Sequence, residues 1–434
     1  IDMSAIDDDV VIPNEVASNS LSWPARLYLL HTALLTTSLA IVGLFFNFTI
    51  LALGFPLNFL GLINTVSFVV SAVLGLPLLW LLAYLPLRLA LASGALIQGF
   101  GVLLIAVWPS PTTILIASAA LGAGSVLFEM SAAPFMMQHS TAASRDRLFS
   151  TNTAIRIGLA GVGSLLAGPL PGILAGWWAV APQSAAAYRG TFVLAAAGVL
   201  VAIVPLLLIR SHVALERPNP TTEQHVFSER KVSAASVSWR ALIQNPAPLL
   251  KVLLSPALIS IGAALLIPYL NLFFQQRFRV PDTMLGFIFA GLGVSTGVAA
   301  LLAPRLSARV GQMATIVLTE VLAIPFLMLL GVAPVLGIAV GAALVRAALF
   351  NMGAPLYDAF AMEHTSEAAR PTVMALMSAA YSVGYLWGPL LSTYIQVHYG
   401  FAPLFLITTT CYIVAVGIKY WFFLRPRAGI AVIG

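Results

Sequence analysis

Four charged residues lie inside long apolar stretches of the sequence: Glu129, Arg156, Glu320 and Arg346. A charge at the centre of a bilayer costs about 3 kcal/mol, so such residues persist where they form pairs, line water or carry protons. Glu129 precedes the end of one stretch by about ten residues and Arg156 follows the start of the next by about ten, which predicts a similar depth on adjacent antiparallel helices. We therefore predict an ion pair. Either Glu129 carries a proton whose affinity Arg156 sets, or the pair only fixes the register of two helices.

The stretches that hold these charges recur along nearly the whole chain. Of its 434 residues, 60% are hydrophobic and 8% are charged, and the mean hydropathy is +0.98. A stretch of about 20 apolar residues crosses the hydrocarbon core of a bilayer as a helix. The sequence therefore predicts an all-α membrane protein with twelve transmembrane helices near residues 27–53, 57–83, 88–108, 111–138, 148–176, 190–210, 248–276, 284–304, 313–331, 335–361, 372–398 and 402–424.

Polar segments divide this chain into two groups of six spans. We expect two six-helix bundles at 23–210 and 248–424, separated by a charged cytoplasmic linker at 211–247. Residues 1–22 are polar and acidic and are expected to be a cytoplasmic tail, because a signal peptide needs a basic start and a short apolar core. Residues 425–434 are expected to form a cytoplasmic C-terminal tail.

The basic residues predict an orientation in the membrane. Of the 21 Lys and Arg residues, Arg189, Arg277 and Arg279 fall in loops on one side, and Arg156 and Arg346 fall within spans. The remaining 16, which include Lys419, fall in segments on the side of both termini. This bias predicts cytoplasmic termini. The predominance of Arg over Lys favours a prokaryotic source, and hence the prokaryotic inner membrane.

The two groups of spans share landmarks in one order, which indicates an internal repeat. Pro134 and Pro355 are 221 residues apart, Arg145 and Arg370 are 225 apart, and the Gly-Pro pairs at 168–169 and 388–389 are 220 apart. Two related halves of six spans are the arrangement of one large class of transporters. The fold expected from this repeat is a pair of pseudo-symmetric six-helix bundles.

Over nearly its whole length the chain resembles the major facilitator superfamily. The loop after the second span keeps Arg88 of that family's motif but has Ala83 in place of its acid, and the loop after the eighth span keeps Arg309 and Gly311 but has Ala308 there. The fifth span carries Gly168-Pro169, part of a pattern found in family exporters that exchange substrate for protons. Small residues permit close helix approach and Pro bends a helix, so tight packing alone is the alternative explanation.

The resemblance implies a central cavity between the halves and assigns expected roles around it. Glu129 and Arg156 would couple protons, since the fourth span lines the cavity in this family. Arg346, on the tenth span, would either bind an anionic substrate group or pair with Glu320. The other expected substrate residues are Asn351, Asn47, Tyr269, Asn271, Gln275 and Tyr385. The expected gating residues are Arg88, Arg309, Asp358, Glu363, Gly168, Pro169, Gly388 and Pro389.

Missing motifs limit the other classes of function. The sequence contains no phosphate-binding loop, no metal-binding motif and no Gly-x-Ser-x-Gly motif of the kind that holds the nucleophile in hydrolases. We therefore predict no cofactor and no enzymatic activity. Basic residues dispersed through loops do not indicate nucleic-acid binding. The predicted function is that of a secondary transporter, expected to act as a monomer, that exports a small, largely apolar solute in exchange for protons. A lipid, lysolipid or organic-anion carrier of the same fold and a non-transporting receptor remain as alternatives.

Overall fold

The computed structural model of the protein describes residues 21–82, 84–209, 246–366 and 369–425, and these ranges contain helices and no β-strand. Most of the predicted tails 1–22 and 425–434, most of the linker 211–247 and Ala83 of the first loop motif lie outside the described residues.

The first six predicted spans are present. Four are single helices: Trp23–Ala52, Leu57–Leu82, Leu87–Val107 and Pro111–Gln138. The fifth span consists of Ala142–Ala167 and Leu170–Trp178, and the sixth of Ala185–Val201 and Ile203–Leu207.

The second six follow the same plan with two interrupted spans. The seventh joins Pro246–Leu266, a 3₁₀ turn at Ile267–Tyr269 and Leu270–Phe278. The eighth, ninth and tenth are Asp282–Val310, Gln312–Val332 and Leu336–Glu363. The eleventh joins Arg370–Ser382, a 3₁₀ turn at Val383–Leu386 and Gly388–Tyr399, and the twelfth joins Ala402–Lys419 and a π-helical turn at Tyr420–Leu424. The predicted all-α fold with two groups of six spans is confirmed.

Since successive spans alternate in direction, their ends lie on two faces. We call the side on which the first span begins and the twelfth ends the basic face, because Arg88, Arg305 and Arg309 lie there. The other side is called the opposite face.

Capping explains why the fifth span begins at Ala142 and not near residue 148 as predicted. Thr141 and Ser144 form a reciprocal capping box, in which each side chain accepts a hydrogen bond from the other's backbone N–H. Such a box satisfies amide groups that the first turn leaves free. The helix therefore extends past the apolar stretch into a polar segment that includes Arg145 and Arg147.

Proline residues lie at the interruptions of the seventh and eleventh spans and at the break in the fifth. Pro268 lies in the 3₁₀ turn of the seventh span, Pro169 separates the two helices of the fifth, and Pro389 follows the 3₁₀ turn of the eleventh. Proline lacks the N–H that an α-helix needs at these positions, so the chain breaks or bends there. The breaks in the fifth and eleventh spans are equivalent under the internal repeat.

The two halves meet along two equivalent pairs of spans, the fifth with the eighth and the second with the eleventh. Gly286 of the eighth span lies so close to the fifth that an added Cβ would come within 2.7 Å of the Ser164 carbonyl oxygen. A Cβ on Gly61 of the second span would collide with Thr393 of the eleventh. Small residues thus permit backbone contact between the halves in the part of each pair nearer the opposite face.

Candidate functional site

A cavity of about 570 Å³, which we call the central cavity, lies between the fifth span of the N-terminal half and the seventh to tenth spans of the C-terminal half. It is lined by residues of the fifth, seventh, eighth, ninth and tenth spans, most of them apolar, such as Ile157, Leu270 and Phe289. Its polar lining residues are Thr153, Arg156, Thr296, Arg346 and Asn351. A volume in this range accommodates a small organic molecule, and a mostly apolar wall with a few polar groups is typical of such sites.

The structure brings Glu129 and Arg156 together at the edge of this cavity. The Arg156 guanidinium donates two hydrogen bonds to the carboxylate, from Nη2 to Oε1 at 2.5 Å and from Nη1 to Oε2 at 3.3 Å. It also lies over the Phe128 ring, 5.6 Å from the ring centroid. The side chains remain 43% exposed for Arg156 and 56% for Glu129. The pair therefore joins the fourth and fifth spans without being sealed inside the protein.

Arg346 contributes the second cationic group of the cavity, from the other half. It is buried, donates from Nη2 to the Tyr412 hydroxyl at 3.1 Å, and lies over the Phe350 ring at 5.2 Å from its centroid. Its Nε has no hydrogen-bond partner in the described part of the chain. Because the Arg346 partners are aromatic and neutral, its positive charge faces the cavity without a paired carboxylate.

The alternative in which Arg346 pairs with Glu320 is wrong, because Lys419 is the partner. Lys419 Nζ donates to Glu320 Oε1 at 2.5 Å, and the two side chains are only 2% and 4% exposed. Lys419, which was counted among the basic residues on the side of both termini, lies within the twelfth span with its side chain buried. The last span continues as helix past Lys419, which turns this side chain inward, over the Tyr357 ring at 4.6 Å from its centroid.

A second cavity, of about 320 Å³, lies within the C-terminal half. We call it the C-terminal compartment. It shares Ile267, Arg346 and Asn351 with the lining of the central cavity, so the two adjoin at these residues. The compartment is the more polar of the two by residue type, and its other polar lining residues are Ser260, Glu320, Tyr357, Tyr381, Tyr385, Tyr412 and Lys419.

Three of the predicted substrate residues line these cavities. Arg346 and Asn351 line both, and Tyr385 lines the C-terminal compartment. Asn351 donates to the Ala347 carbonyl at 2.9 Å and remains exposed. The Tyr385 ring packs against Phe68 of the second span, with ring centroids 4.6 Å apart. This contact brings the C-terminal compartment next to the N-terminal half.

The other four predicted substrate residues lie outside both cavity linings, toward the opposite face. Asn47 donates to the Pro268 carbonyl at 2.7 Å and to the Asn271 side chain at 2.9 Å, and Asn271 donates to the Leu44 carbonyl at 2.8 Å. Tyr269 is buried and donates to the Pro389 carbonyl at 3.1 Å. Gln275 lies in the last turns of its helix and is half-buried. In this state the first three hold spans together, and substrate contact by any of the four stays a prediction.

Contacts near the opposite face close the space between the halves there. The Tyr188 hydroxyl of the sixth span lies 3.2 and 3.1 Å from the two carboxylate oxygens of Asp282, at the start of the eighth. Sequence analysis missed this contact. An acidic residue in the first turn of a helix, after Pro281, suggests only capping, and no pattern links it to a tyrosine 94 residues earlier.

The predicted gating residues occupy three settings. Arg88 donates to the Ile209 carbonyl at 2.6 Å and so caps the end of the sixth span within its own half. Arg309 and Glu363 are exposed at helix ends on the basic face, and Asp358 is half-buried one turn deeper.

The two Gly-Pro pairs occupy the third setting, in contacts between spans. An added Cβ on Gly168 would lie 3.0 Å from the Thr283 carbonyl of the eighth span, and one on Gly388 would lie 2.7 Å from Ala264 of the seventh. The carbonyl of Pro389, next to Gly388, accepts the Tyr269 hydrogen bond. Pro169 starts the second helix of the fifth span. The roles of these residues in gating stay predictions.

Comparison with known proteins identifies the family. The family model described as Major Facilitator Superfamily matches residues 28–353 and 252–433, which together cover nearly the whole chain. The chain belongs to the major facilitator superfamily. This major facilitator is therefore a membrane transporter by family and not an enzyme. Among curated proteins, none matches it significantly in sequence.

Solved structures of other transporters share the fold of this major facilitator. A bacterial homologue of the human lysosomal transporter Spinster, in an inward-facing and unoccupied conformation, is 13% identical, with a TM-score of 0.73 over 93% of this chain and 97% of that one. A D-xylose–proton symporter is 15% identical, with a TM-score of 0.68 over 93% and 99%. A nucleoside transporter is 15% identical, with a TM-score of 0.69 over 92% and 99%. At these identities the likeness extends to the fold alone.

Proposed function

We propose that this major facilitator exports a small, largely apolar organic solute across the prokaryotic cytoplasmic membrane in exchange for protons. The observation that carries the proposal is the central cavity, with a mainly apolar wall and a single arginine from each half. A site for a sugar would need many hydroxyl and amide partners. The lining offers few, so apolar contact would supply most of the binding free energy.

Alternating access is the mechanism that this geometry supports. Hydrogen bonds join the halves near the opposite face, at Asn47 with Asn271 and at Tyr188 with Asp282. Glu129 and Arg156 remain exposed nearer the basic face. With cytoplasmic termini, this state would accept solute from the cytoplasm. Rocking of the halves about the spans that join them would break the contacts at the opposite face and release the solute there.

The Glu129–Arg156 pair is the proposed coupling device. The Glu129 carboxylate is about half exposed, and its two hydrogen bonds from Arg156 join the fourth span to the fifth. Protonation of Glu129 would remove the charge attraction that holds the fourth and fifth spans at this point, and the freed guanidinium would then face the cavity. The direction of transport rests on the Gly168-Pro169 pattern of the fifth span.

The test is proton movement in proteoliposomes, recorded with a pH-sensitive dye while cationic drugs, organic anions and lysolipids are presented in turn. We expect one class to trigger proton flux, and Glu129→Gln to abolish that flux while the protein stays folded. Flux that is unchanged in Glu129→Gln would refute the role of this residue. Binding without any flux would favour a non-transporting receptor, and solute movement without protons a uniporter.

An organic-anion carrier is the second candidate, because Arg346 faces the cavity without a carboxylate partner. Arg156 is already neutralised by Glu129, so Arg346 would be the main anion-binding group in this state. Arg346→Gln should then weaken the binding of organic anions far more than that of neutral analogues. Equal losses for both would reject this candidate.

A further inference from the structure

The C-terminal compartment contains two buried charged groups that each lack one hydrogen-bond partner among the residues that the structure describes. Glu320 is 3% exposed, and its Oε2 has no partner although its Oε1 accepts from Lys419. Arg346 is 8% exposed, and its Nε has no partner. An unsatisfied buried charged group costs more than a neutral one, so each such group needs a specific partner. Here an unused acceptor and an unused donor line the same cavity.

Glu320 Oε2 and Arg346 Nε require ligand groups of opposite hydrogen-bonding character. Glu320 Oε2 can only accept, so its ligand must donate a hydrogen bond, and an ammonium group does so with charge assistance. Arg346 Nε can only donate, so its ligand must accept, and a carboxylate or phosphate does so best. The Tyr412 hydroxyl accepts from Arg346, which leaves its own proton available to the same anion.

The size and position of the compartment suit the polar end of a larger molecule. A volume of about 320 Å³ corresponds to roughly ten water-sized groups, at about 30 Å³ each. The compartment adjoins the mainly apolar central cavity at Arg346 and Asn351.

We propose that the C-terminal compartment binds a zwitterionic head group, with its anion at Arg346 and its amine at Glu320, while the apolar body of the same solute occupies the central cavity. The inference rests on the proposed function, because it takes the central cavity as the binding site of the apolar body. It narrows the solute to an amphipathic zwitterion, such as an amino acid with a large apolar side chain.

Matched compounds with a common phenyl body test this assignment. Phenylalanine carries both charges, 3-phenylpropionate only the anion, phenethylamine only the cation and 2-phenylethanol neither. A zwitterion with a longer separation of charge, 4-amino-3-phenylbutyrate, allows for a wider gap between the two sites. Affinities are measured by isothermal titration calorimetry on the full chain in lipid nanodiscs. We expect at least one zwitterion to bind roughly tenfold or more tighter than either singly charged compound.

Variants assign the two charges to their sites. The double variant Glu320→Gln with Lys419→Met removes the buried pair together and avoids leaving one charge alone. It should abolish the advantage of the zwitterion over 3-phenylpropionate. Arg346→Lys, which lacks the Nε–H donor, should reduce the advantage of the zwitterion over phenethylamine, and it serves also if the double variant fails to fold. Lys251→Met, a matched change outside both cavity linings, should alter neither affinity ratio, that of the zwitterion to 3-phenylpropionate or that of the zwitterion to phenethylamine.

The outcomes separate this inference from the proposed function. Tight binding of a singly charged or neutral compound, with no zwitterion advantage, overturns the head-group site and leaves export of apolar solutes standing. An unchanged ratio in both the double variant and Arg346→Lys also overturns the site. If none of the compounds binds and no solute class triggers proton flux, the site and the proposed function both fail.

Discussion

Among the residues that the structure describes, one ion pair joins spans of the N-terminal half and another joins spans of the C-terminal half, and the two pairs differ sharply in exposure. Glu129 and Arg156 join neighbouring spans, with 56% and 43% of their side chains exposed. Glu320 and Lys419 join the ninth and twelfth spans, with 4% and 2% exposed. The exposed pair has both carboxylate oxygens bonded to the guanidinium, whereas the buried pair leaves one carboxylate oxygen free.

An ion pair between two spans therefore does not define one role. An exposed pair contributes little to stability because water solvates its separated charges well, so it can open and close during a transport cycle. A buried pair is costly to separate, because either charge left alone in a low-dielectric interior is poorly solvated. The first arrangement suits proton exchange, and the second suits a permanent structural and ligand-binding role.

The largest expected effect comes from breaking the buried pair. Lys419→Met leaves Glu320 buried without its cation and should lower the free energy of unfolding by about 3–5 kcal/mol. Adding Glu320→Gln to this variant should restore most of the loss, since no unpaired charge then remains. Denaturant unfolding followed in lipid-detergent micelles measures both, with Lys251→Met as control. A loss below about 1 kcal/mol for Lys419→Met would contradict the expectation that the Glu320 charge depends on its buried partner.

The next effect is on activity at the exposed pair. Glu129→Gln should reduce transport driven by a pH gradient at least tenfold and remove its dependence on pH, because the proposed proton site is gone. Its free energy of unfolding should change by less than about 1 kcal/mol. Uptake in proteoliposomes at several pH gradients measures the transport rate. Unfolding of the same preparation measures the free energy of unfolding. Full activity would place the coupling site elsewhere and make the two pairs alike in function.

An exchange of the two charges separates pairing from position. The double variant Glu129→Arg with Arg156→Glu keeps an ion pair between the fourth and fifth spans, so its stability should stay within about 1 kcal/mol of the wild type. Coupled transport should be lost, because the carboxylate moves from the fourth span to the fifth and the guanidinium no longer lies over the Phe128 ring from the fifth span. Recovery of transport would show that the pair acts only by holding the helices together.

The smallest expected effect is the response to salt. Raising the ionic strength from 0.1 to 1 M shortens the Debye length from about 10 to 3 Å. The stability difference between wild type and Glu129→Gln should shrink by a few tenths of a kcal/mol. The coupling free energy between Glu320 and Lys419, from the double-mutant cycle of Glu320→Gln, Lys419→Met and their combination, should not change with salt. Ions do not reach the buried pair. An equal response to salt in the two comparisons would contradict the difference in exposure.

Much of the fold was predictable because it follows from local properties of the chain. Apolar stretches long enough to cross a bilayer predict where helices lie, and the shared landmarks in the two halves predict the repeat. The boundaries were less accurate where capping extends a helix into polar sequence, as at Thr141. The Glu129–Arg156 contact could be predicted because the two residues lie on consecutive spans. Equal distances along the two helices from the turn that connects them imply equal depth.

The contacts of Glu320, Tyr188 and Asn47 could not be predicted in the same way. Their partners lie on spans distant in sequence, Lys419 at a separation of 99 residues, Asp282 at 94 and Asn271 at 224. Depth alone does not say which helices are neighbours or which side of a helix faces a partner. Arg346 and Lys419 were both possible cations for Glu320, and only the packing of the ninth and twelfth spans selects between them.

By itself the sequence determined that this protein is a helical membrane protein of two related halves, because the length and spacing of apolar stretches control membrane insertion segment by segment. Which polar side chains meet, which of them line a cavity and which close one face became known from the packing of the helices. Those outcomes depend on how helices rotate and cross. Rotation and crossing are set by close packing among many residues at once, and local sequence does not record them.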